Sequence, residues 1–406
     1  MIRIIILLCI FLLLLQNRIP AQESTHDDIS RYCHIDTLLS FKNESGGMAI
    51  LPAMTSHNKS FAFTCFNAHR NSDTVVIYRV RSESYQIDTL KLFTSGICQL
   101  LTKNRATRFK SIALWDSTIV LGTYNRLFIF HCKENNIWSH AETQKISFDY
   151  QKMKMVDYRT ILFMDAYHSR RKHKTTLLLY DIEQGKTLKT IHPYLNSTLN
   201  TYYSNNSYAD YCDGRIIWTH NNEYSLVEFN HNLQPVDSIH YEQPDWKPLP
   251  DSIVCNANKI PWTDAVDIIH TIQNKNVSSD IIMWVLFLSK DTLMVVRKKP
   301  TLKYKLIDLW SHTEGKWQPL LCGISDAGYW RDFQSVVKDH LQIGFSAGDY
   351  VSVCGNKLFV LTSLGWTESF GSLSGTEYAK QRENYLLDND YFVQLRVYTY
   401  NFDSQQ

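Results

Sequence analysis

The chain has 406 residues, 44% of them hydrophobic and 13% aromatic, with 42 basic and 40 acidic side chains and a formal charge of +2. A chain of this length buries ample core without disulfide staples, and its near-neutral balance gives no electrostatic pull toward nucleic acid. It contains no Cys-x-x-Cys, no Gly-x-Ser-x-Gly, no phosphate-binding loop and no His-Glu-x-x-His, so the local signatures of zinc, thioredoxin, serine-hydrolase, nucleotide and zincin chemistry are missing.

At the N-terminus, Arg3 precedes an unbroken apolar run from Ile4 to Leu15. That run is shorter than the roughly 20 residues a helix needs to span a bilayer, and with Ala21 nearby it has the form of a secretory signal peptide. Cleavage is expected after Ala21, leaving residues 22–406 as a single domain with no transmembrane segment. An uncleaved anchor is the alternative. Removal of Arg3 and Arg18 leaves 40 basic and 40 acidic side chains. Export makes the periplasm, the cell surface or the medium the expected location. Eight cysteines remain, namely Cys33, Cys65, Cys98, Cys132, Cys212, Cys255, Cys322 and Cys354. They permit up to four disulfides, or serve as small buried side chains. Sequons at Asn43, Asn58, Asn196, Asn205 and Asn276 matter only in a host that glycosylates them.

The segment Ile35-Asp36-Thr37-Leu38-Leu39-Ser40-Phe41 returns as Ile87-Asp88-Thr89-Leu90-Lys91-Leu92-Phe93, with a weaker echo at Val236-Asp237-Ser238-Ile239. Self-similarity of this kind marks a repeat architecture. Alternating runs rich in Ile, Val, Tyr, Phe and Thr fill the chain, broken by Asn, Asp, Gly and Ser. They recur in an order of three. Apolar first runs, each after a turn marker, cover 60–65, 118–121, 160–164, 215–218, 292–296 and 357–361. Aromatic-containing second runs cover 75–78, 127–130, 177–180, 224–227 and 304–307, and more polar third runs cover 85–93, 138–146, 187–191, 235–240 and 317–321. Ile281 to Leu288 is a further buried-strand run.

The sixth set ends with the alternating run Tyr391 to Tyr400 and has no third run, whereas Cys33 to Phe41 is a third-type run with nothing before it. Pairing the two closes a ring. The expectation is therefore an all-β, six-bladed β-propeller whose last blade is built from both termini. The innermost strand of each blade would precede the first run, and no pattern identifies it. The markers are spaced irregularly, and the longest gap, Asp213 to Asp291, carries an insertion around 241–267. A two-sheet sandwich or several small β domains would be the alternative, but no Pro/Gly/Ser linker marks a boundary. The pattern resembles, in blade rhythm only, the secreted six-bladed propellers of the TolB-like and NHL-like kind. That resemblance implies an exported binding or scaffold protein, or in some cases an enzyme, and it transfers no functional residue.

Individual chemical signals are sparse. Asp326 to Trp330 comes near a sialidase Asp box once, without the Thr, and Trp115-Asp116 is a single Trp-Asp pair. His168 and His173 flank the basic cluster Arg170 to Lys174, where solvated histidines at a hairpin tip are the simpler reading. No metal ligands or cofactor can be selected. The insertion carries Pro244, Trp246, Pro248, Pro250, Pro261 and Trp262. Prolines stiffen such a segment and tryptophans offer flat amphipathic area, so Trp246 and Trp262 are the candidate ligand-binding residues. The same residues could instead cap the ring. A second irregular stretch, Gly365 to Glu383, has the composition of a loop. The leading expectation is a non-catalytic exported propeller that binds a protein, peptide or glycan on one face. The alternatives are a hydrolase or lyase at the axial channel, with or without the assistance of a metal, and a purely structural envelope component.

Overall fold

The computed structural model describes residues 31–42, 53–57, 59–64, 74–93, 111–123, 125–132, 138–148, 150, 152–166, 176–191, 209–219, 224–241, 246–247, 280–299, 302, 305–325, 350–363 and 391–401. The leader, all five sequons, the basic cluster at 170–174, the Asp-box-like segment, residues 365–383, Trp262 and most of the insertion lie outside them. No helix among the described residues is long and apolar enough to cross a membrane.

The described chain is all β. Strand β1 (Cys33–Lys42) comes first. Blade one holds β2 (Ala53–His57), β3 (Ser60–Thr64), β4 (Thr74–Arg81) and β5 (Ile87–Phe93). Blade two holds β6 (Ser111–Trp115), β7 (Thr118–Gly122), β8 (Arg126–Cys132) and β9 (Trp138–Lys145). Blade three holds β10 (Lys152–Met155), β11 (Thr160–Ala166), β12 (Thr176–Asp181) and β13 (Lys186–Ile191). Blade four holds β14 (Ala209–Cys212), β15 (Arg215–Thr219), β16 (Ser225–Asn230) and β17 (Pro235–His240). Blade five holds β18 (Ile281–Ser289), β19 (Thr292–Lys298), β20 (Lys305–Thr313) and β21 (Lys316–Ser325). Blade six takes β22 (Tyr350–Cys354), β23 (Lys357–Ser363) and β24 (Tyr391–Tyr400), and β1 completes it in the order β1-β24-β23-β22. The expected ring closure is present. β1 runs antiparallel to β24 from Cys33 opposite Tyr400 to Lys42 opposite Tyr391, and the Asn401 amide donates to the Tyr32 carbonyl at 2.8 Å.

The three recurring runs are the second, third and outermost strands of the blades. The innermost strands, which no pattern identified, are β2, β6, β10, β14, β18 and β22. The Ile281 to Leu288 run is the innermost strand of blade five. The third run of blade one begins later than expected, at Ile87, because Tyr85 and Gln86 belong to the turn before it.

Period-two side-chain alternation holds the ring together. On β11, Ile161 and Phe163 join the core shared with blade two, while Leu162 and Met164 join the core shared with blade four. On β19, Leu293 and Val295 face blade four, and Met294 and Val296 face blade six. Each of the six blade boundaries has its own buried cluster of this kind. The closing boundary between blades six and one is aromatic. Phe41 packs edge-on to Phe63 with centroids 4.9 Å apart, and Phe61 stacks on Phe359 at 4.8 Å. Blades one and two are also joined by a short parallel pairing, Leu92 with Trp138 and Phe93 with Ser139. Gly122 permits another close approach, since a Cβ there would lie 1.8 Å from the Tyr150 hydroxyl oxygen.

The described cysteines Cys33, Cys132, Cys212, Cys322 and Cys354 are free thiols. Cys33 and Cys354 are buried in blade-boundary cores, the small-side-chain role rather than the staple. Cys65, Cys98 and Cys255 lie outside the described residues.

Candidate functional site

The antiparallel order places the turns between first and second strands, and in blades one to five those between third and outermost strands, at one end of each blade. These turns are tight. All the non-glycine residues described with left-handed backbone, Lys59, Tyr85, Asp213, Leu233 and Glu314, lie in them. Such conformations carry a steric cost outside glycine, so this face is a set of closely specified turns.

On the tight-turn face of blade one lies a groove of about 550 Å³, lined by Lys59, Ser60, Arg79, Arg81, Glu83, Ser84 and Gln86. Each lining residue is placed by a local rule. Lys59 occupies the left-handed position of the β2–β3 turn. Arg79 and Arg81 are two apart on β4 and so project to the same side of the sheet. Glu83, Ser84 and Gln86 belong to the β4–β5 turn, closed by the Tyr85 amide donating to the Arg81 carbonyl at 2.9 Å and the Arg81 amide donating to the Gln86 carbonyl at 3.1 Å. The Ser82 amide donates to the Lys59 carbonyl at 2.8 Å, which ties the two turns together.

The charges of this groove do not cancel. Arg79 Nη2 lies 3.0 Å and Arg81 Nη2 3.4 Å from the same oxygen, Asp88 Oδ2. Two guanidinium groups therefore share one carboxylate. Lys59 and Glu83 form an exposed pair at 2.7 Å. Their hydrogen bond and mutual charge push the lysine up and the glutamate down from their ordinary values. Among the described residues, three cations thus face two carboxylates. Arg81 is half-exposed, leaving part of its planar donor fork to solvent.

A polar latch borders this turn. Asp36 Oδ2 accepts from Tyr85 Oη at 2.6 Å, from Lys357 Nζ and from Thr399 Oγ1. Burial would raise the Asp36 carboxyl, but these hydrogen bonds and the Lys357 charge outweigh it and hold it below its usual value. The latch joins β1, β23 and β24 of blade six to the same turn that supplies Glu83, Ser84 and Gln86. Asp36 and Asp88 occupy equivalent positions in the recurring Ile-Asp-Thr-Leu segment. The third equivalent, Asp237, sits on the outermost strand of blade four.

At Asp237 the arrangement differs. One ligand-type atom each of Glu228, Asp237 and His312 lies within 4.8 Å of the others, a spacing suited to a metal ion. A guanidinium already fills the cationic role beside Glu228. Arg215 donates from Nε and Nη2 to the two Glu228 oxygens at 2.7 Å each, and Trp317 Nε1 donates to Glu228 Oε2 at 2.7 Å. Arg215 also stacks over the Trp317 ring, 4.9 Å from its centroid. The group joins blade four to blade five.

Along the axis, Lys154 of β10 donates to the Tyr211 carbonyl at 2.7 Å and lies 3.9 Å from Asp210 Oδ1. Asp210 Oδ2 accepts the Phe287 amide at 2.9 Å. These groups from β10, β14 and β18 hold neighbouring innermost strands together.

Of the two candidate tryptophans, Trp246 is half-buried. It packs against the core shared by blades four and five, edge-on to Tyr224 with centroids 5.8 Å apart. Beside it, Lys247 and Asp280 exchange backbone and side-chain hydrogen bonds. Trp262 lies outside the described residues. The groove residues Lys59, Arg79, Arg81 and Glu83 carried no weight in the sequence. Their signal was the Arg79-Val80-Arg81 spacing upstream of the repeated Asp88.

No protein-family model matches this chain, and no curated protein matches it. Among solved structures, the chain is similar to a protein of Bacteroides fragilis whose name assigns it, provisionally, to the exported proteins. The identity is 10%, the TM-score is 0.53, and the match covers 93% of this chain and 98% of that one. A member of the DUF4221 family from Bacteroides vulgatus aligns at 10% identity and a TM-score of 0.49, over 91% of this chain and 99% of that one. At such identity the similarity to the B. fragilis protein is one of fold, and it extends over nearly the whole of both chains.

Proposed function

We propose that this chain is an exported β-propeller of the TolB-like or NHL-like kind, acting as a non-catalytic binding or scaffold protein for a protein, peptide or glycan presented to one face of the ring. The observation that carries this reading is the blade-one groove. It combines open volume, unmatched donors and turns tied together by hydrogen bonds, the features of a surface ready to receive a ligand. Export is supported by the leader, with cleavage after Ala21, and by the provisional naming of the B. fragilis protein. The insertion tryptophans Trp246 and Trp262 are proposed as a second contact surface.

The test is to present residues 22–406 to glycan and peptide arrays and then recover each bound ligand for mass analysis. The expected result is saturable binding of a defined class, with the ligand recovered intact. Ligand recovered cleaved or eliminated would replace this reading by the hydrolase or lyase. Absence of binding to either array would remove it. Trp246→Ala separates the two roles of that residue: lower stability with unchanged binding makes it a cap, and weakened binding at unchanged stability makes it a contact.

A further inference from the structure

We propose that the blade-one groove is a site for an acidic glycan, a sugar chain carrying carboxylate or sulfate groups; this deepens the binding reading above and rests on it. Arg79 and Arg81 share the single acceptor Asp88 Oδ2, and Lys59 is matched only by Glu83. Among the described residues one positive charge is therefore in excess, and it resides on planar forks suited to an oxyanion.

The lining chooses between macromolecular classes. Besides the charged groups it presents two hydroxyls, Ser60 and Ser84, and one amide, Gln86. Among the described residues that line it none has an apolar side chain, so these residues offer nothing to receive the hydrophobic anchor that usually gives a peptide its affinity. A sugar chain instead brings hydroxyls at short intervals, each able to donate or accept, beside its charged group. The groove is also held in shape before ligand arrives. Both its turns contain a non-glycine residue with left-handed backbone, the turns are hydrogen-bonded to each other, and Tyr85 anchors one of them to Asp36 of blade six. A preformed site avoids ordering costs on binding.

The experiment is calorimetric titration of residues 22–406 with four probes at low salt: tetragalacturonate for the carboxylate source, a chondroitin sulfate tetrasaccharide for the sulfate source, neutral maltotetraose, and tetraglutamate. Binding of either acidic sugar, with maltotetraose and tetraglutamate at least about tenfold weaker, is the expected result; the preferred acidic sugar identifies the source. Arg81→Gln, at a half-exposed position, should weaken that binding by about tenfold, the loss expected for a charge-assisted contact. Glu83→Gln removes the competitor for Lys59 and should strengthen it several-fold, a gain that damage to the fold would not produce. Raising the salt should weaken binding, as for any exposed charge contact.

Tetraglutamate bound as tightly as the sugars would overturn the glycan assignment in favour of an acidic peptide. Neither acidic sugar binding, or binding unmoved by both Arg81→Gln and Glu83→Gln, would overturn the site. The failures remain distinguishable: array binding that survives Arg81→Gln but is lost in Trp246→Ala removes this groove and keeps the binding protein.

Discussion

Cys322 is exposed, yet its thiol is pushed up to about 11, first by desolvation of the sulfur and then by the Asp308 carboxylate; Tyr241 and Arg297 offset only part of this. Asp308 is itself fully buried, its Oδ2 2.7 Å from Arg297 Nε and its Oδ1 accepting the Gly323 amide at 2.7 Å. Only the thiolate reacts with alkylating agents. Measured from the ordinary thiol value of 9.0, a rise of this size lowers the thiolate fraction at pH 7.5 by about a hundredfold. Mass-spectrometric labelling with iodoacetamide should therefore modify Cys322 far more slowly in the folded chain than in urea, with the folded rate still climbing as pH rises toward 11. Equal rates in the two states would refute the assignment. Exposure alone would have marked this cysteine as reactive, and no residue near it in sequence warns otherwise, because Asp308 reaches it across the β20–β21 pairing. The repeated aspartates are the opposite case. Asp36, Asp88 and Asp237 were visible as a recurring phrase, but their surroundings are not: Lys357 meets Asp36, Arg79 meets Asp88, and Asp237 lies beside Glu228 and His312, groups from different strands that follow no common spacing.

Among elements, legibility followed length and environment. β18 reads as a strand because it is nine residues long and nearly all apolar, with Trp284, Leu286 and Leu288 packed toward blade six and Ile282, Val285 and Phe287 toward blade four. β10 and β14 have four residues each, Lys-Met-Lys-Met and Ala-Asp-Tyr-Cys, too short for any periodicity to rise above chance. The groove was illegible for a related reason. It draws on two turns and on residues of β3 and β4, so no contiguous segment contains it. The latch beside it offers a test at this scale. Asp36→Asn removes the carboxylate that Tyr85, Lys357 and Thr399 all address, and should cost about 1–3 kcal/mol at pH 7, the range for a charged hydrogen-bonding group. The sign with pH is fixed. The folded carboxyl is lowered from 3.8, so its contribution is present above that value and is lost as pH falls through the lower, folded one. Urea unfolding should show the full difference between wild type and variant at pH 7 and a smaller one near pH 2. A difference that stays constant would assign the loss to packing rather than to the charge.

For the whole molecule, stability depends on closure. Each blade buries its faces against two neighbours, and the cores on either side of blade six both take residues from β1: Cys33 in one and Phe41 in the other. Removing β1 would leave β24 as an open edge and strip both cores at once. Moving it should be harmless, because the Asn401 amide already donates to the Tyr32 carbonyl, which places the end of β24 beside the start of β1. We therefore expect a circular permutant that begins near residue 53 and carries residues 31–42 after Asn401, through a short glycine-serine linker, to unfold in one cooperative transition. Its midpoint should lie within a few degrees of the unpermuted chain, since a short added loop costs little entropy. The chain that simply lacks residues 31–42 should lose that cooperative transition or unfold at a much lower urea concentration. If the deletion melts like the intact chain, β1 does not close the ring. If the permutant fails while the intact chain folds, pairing of the terminal strands depends on chain order and not on the blade cores they complete.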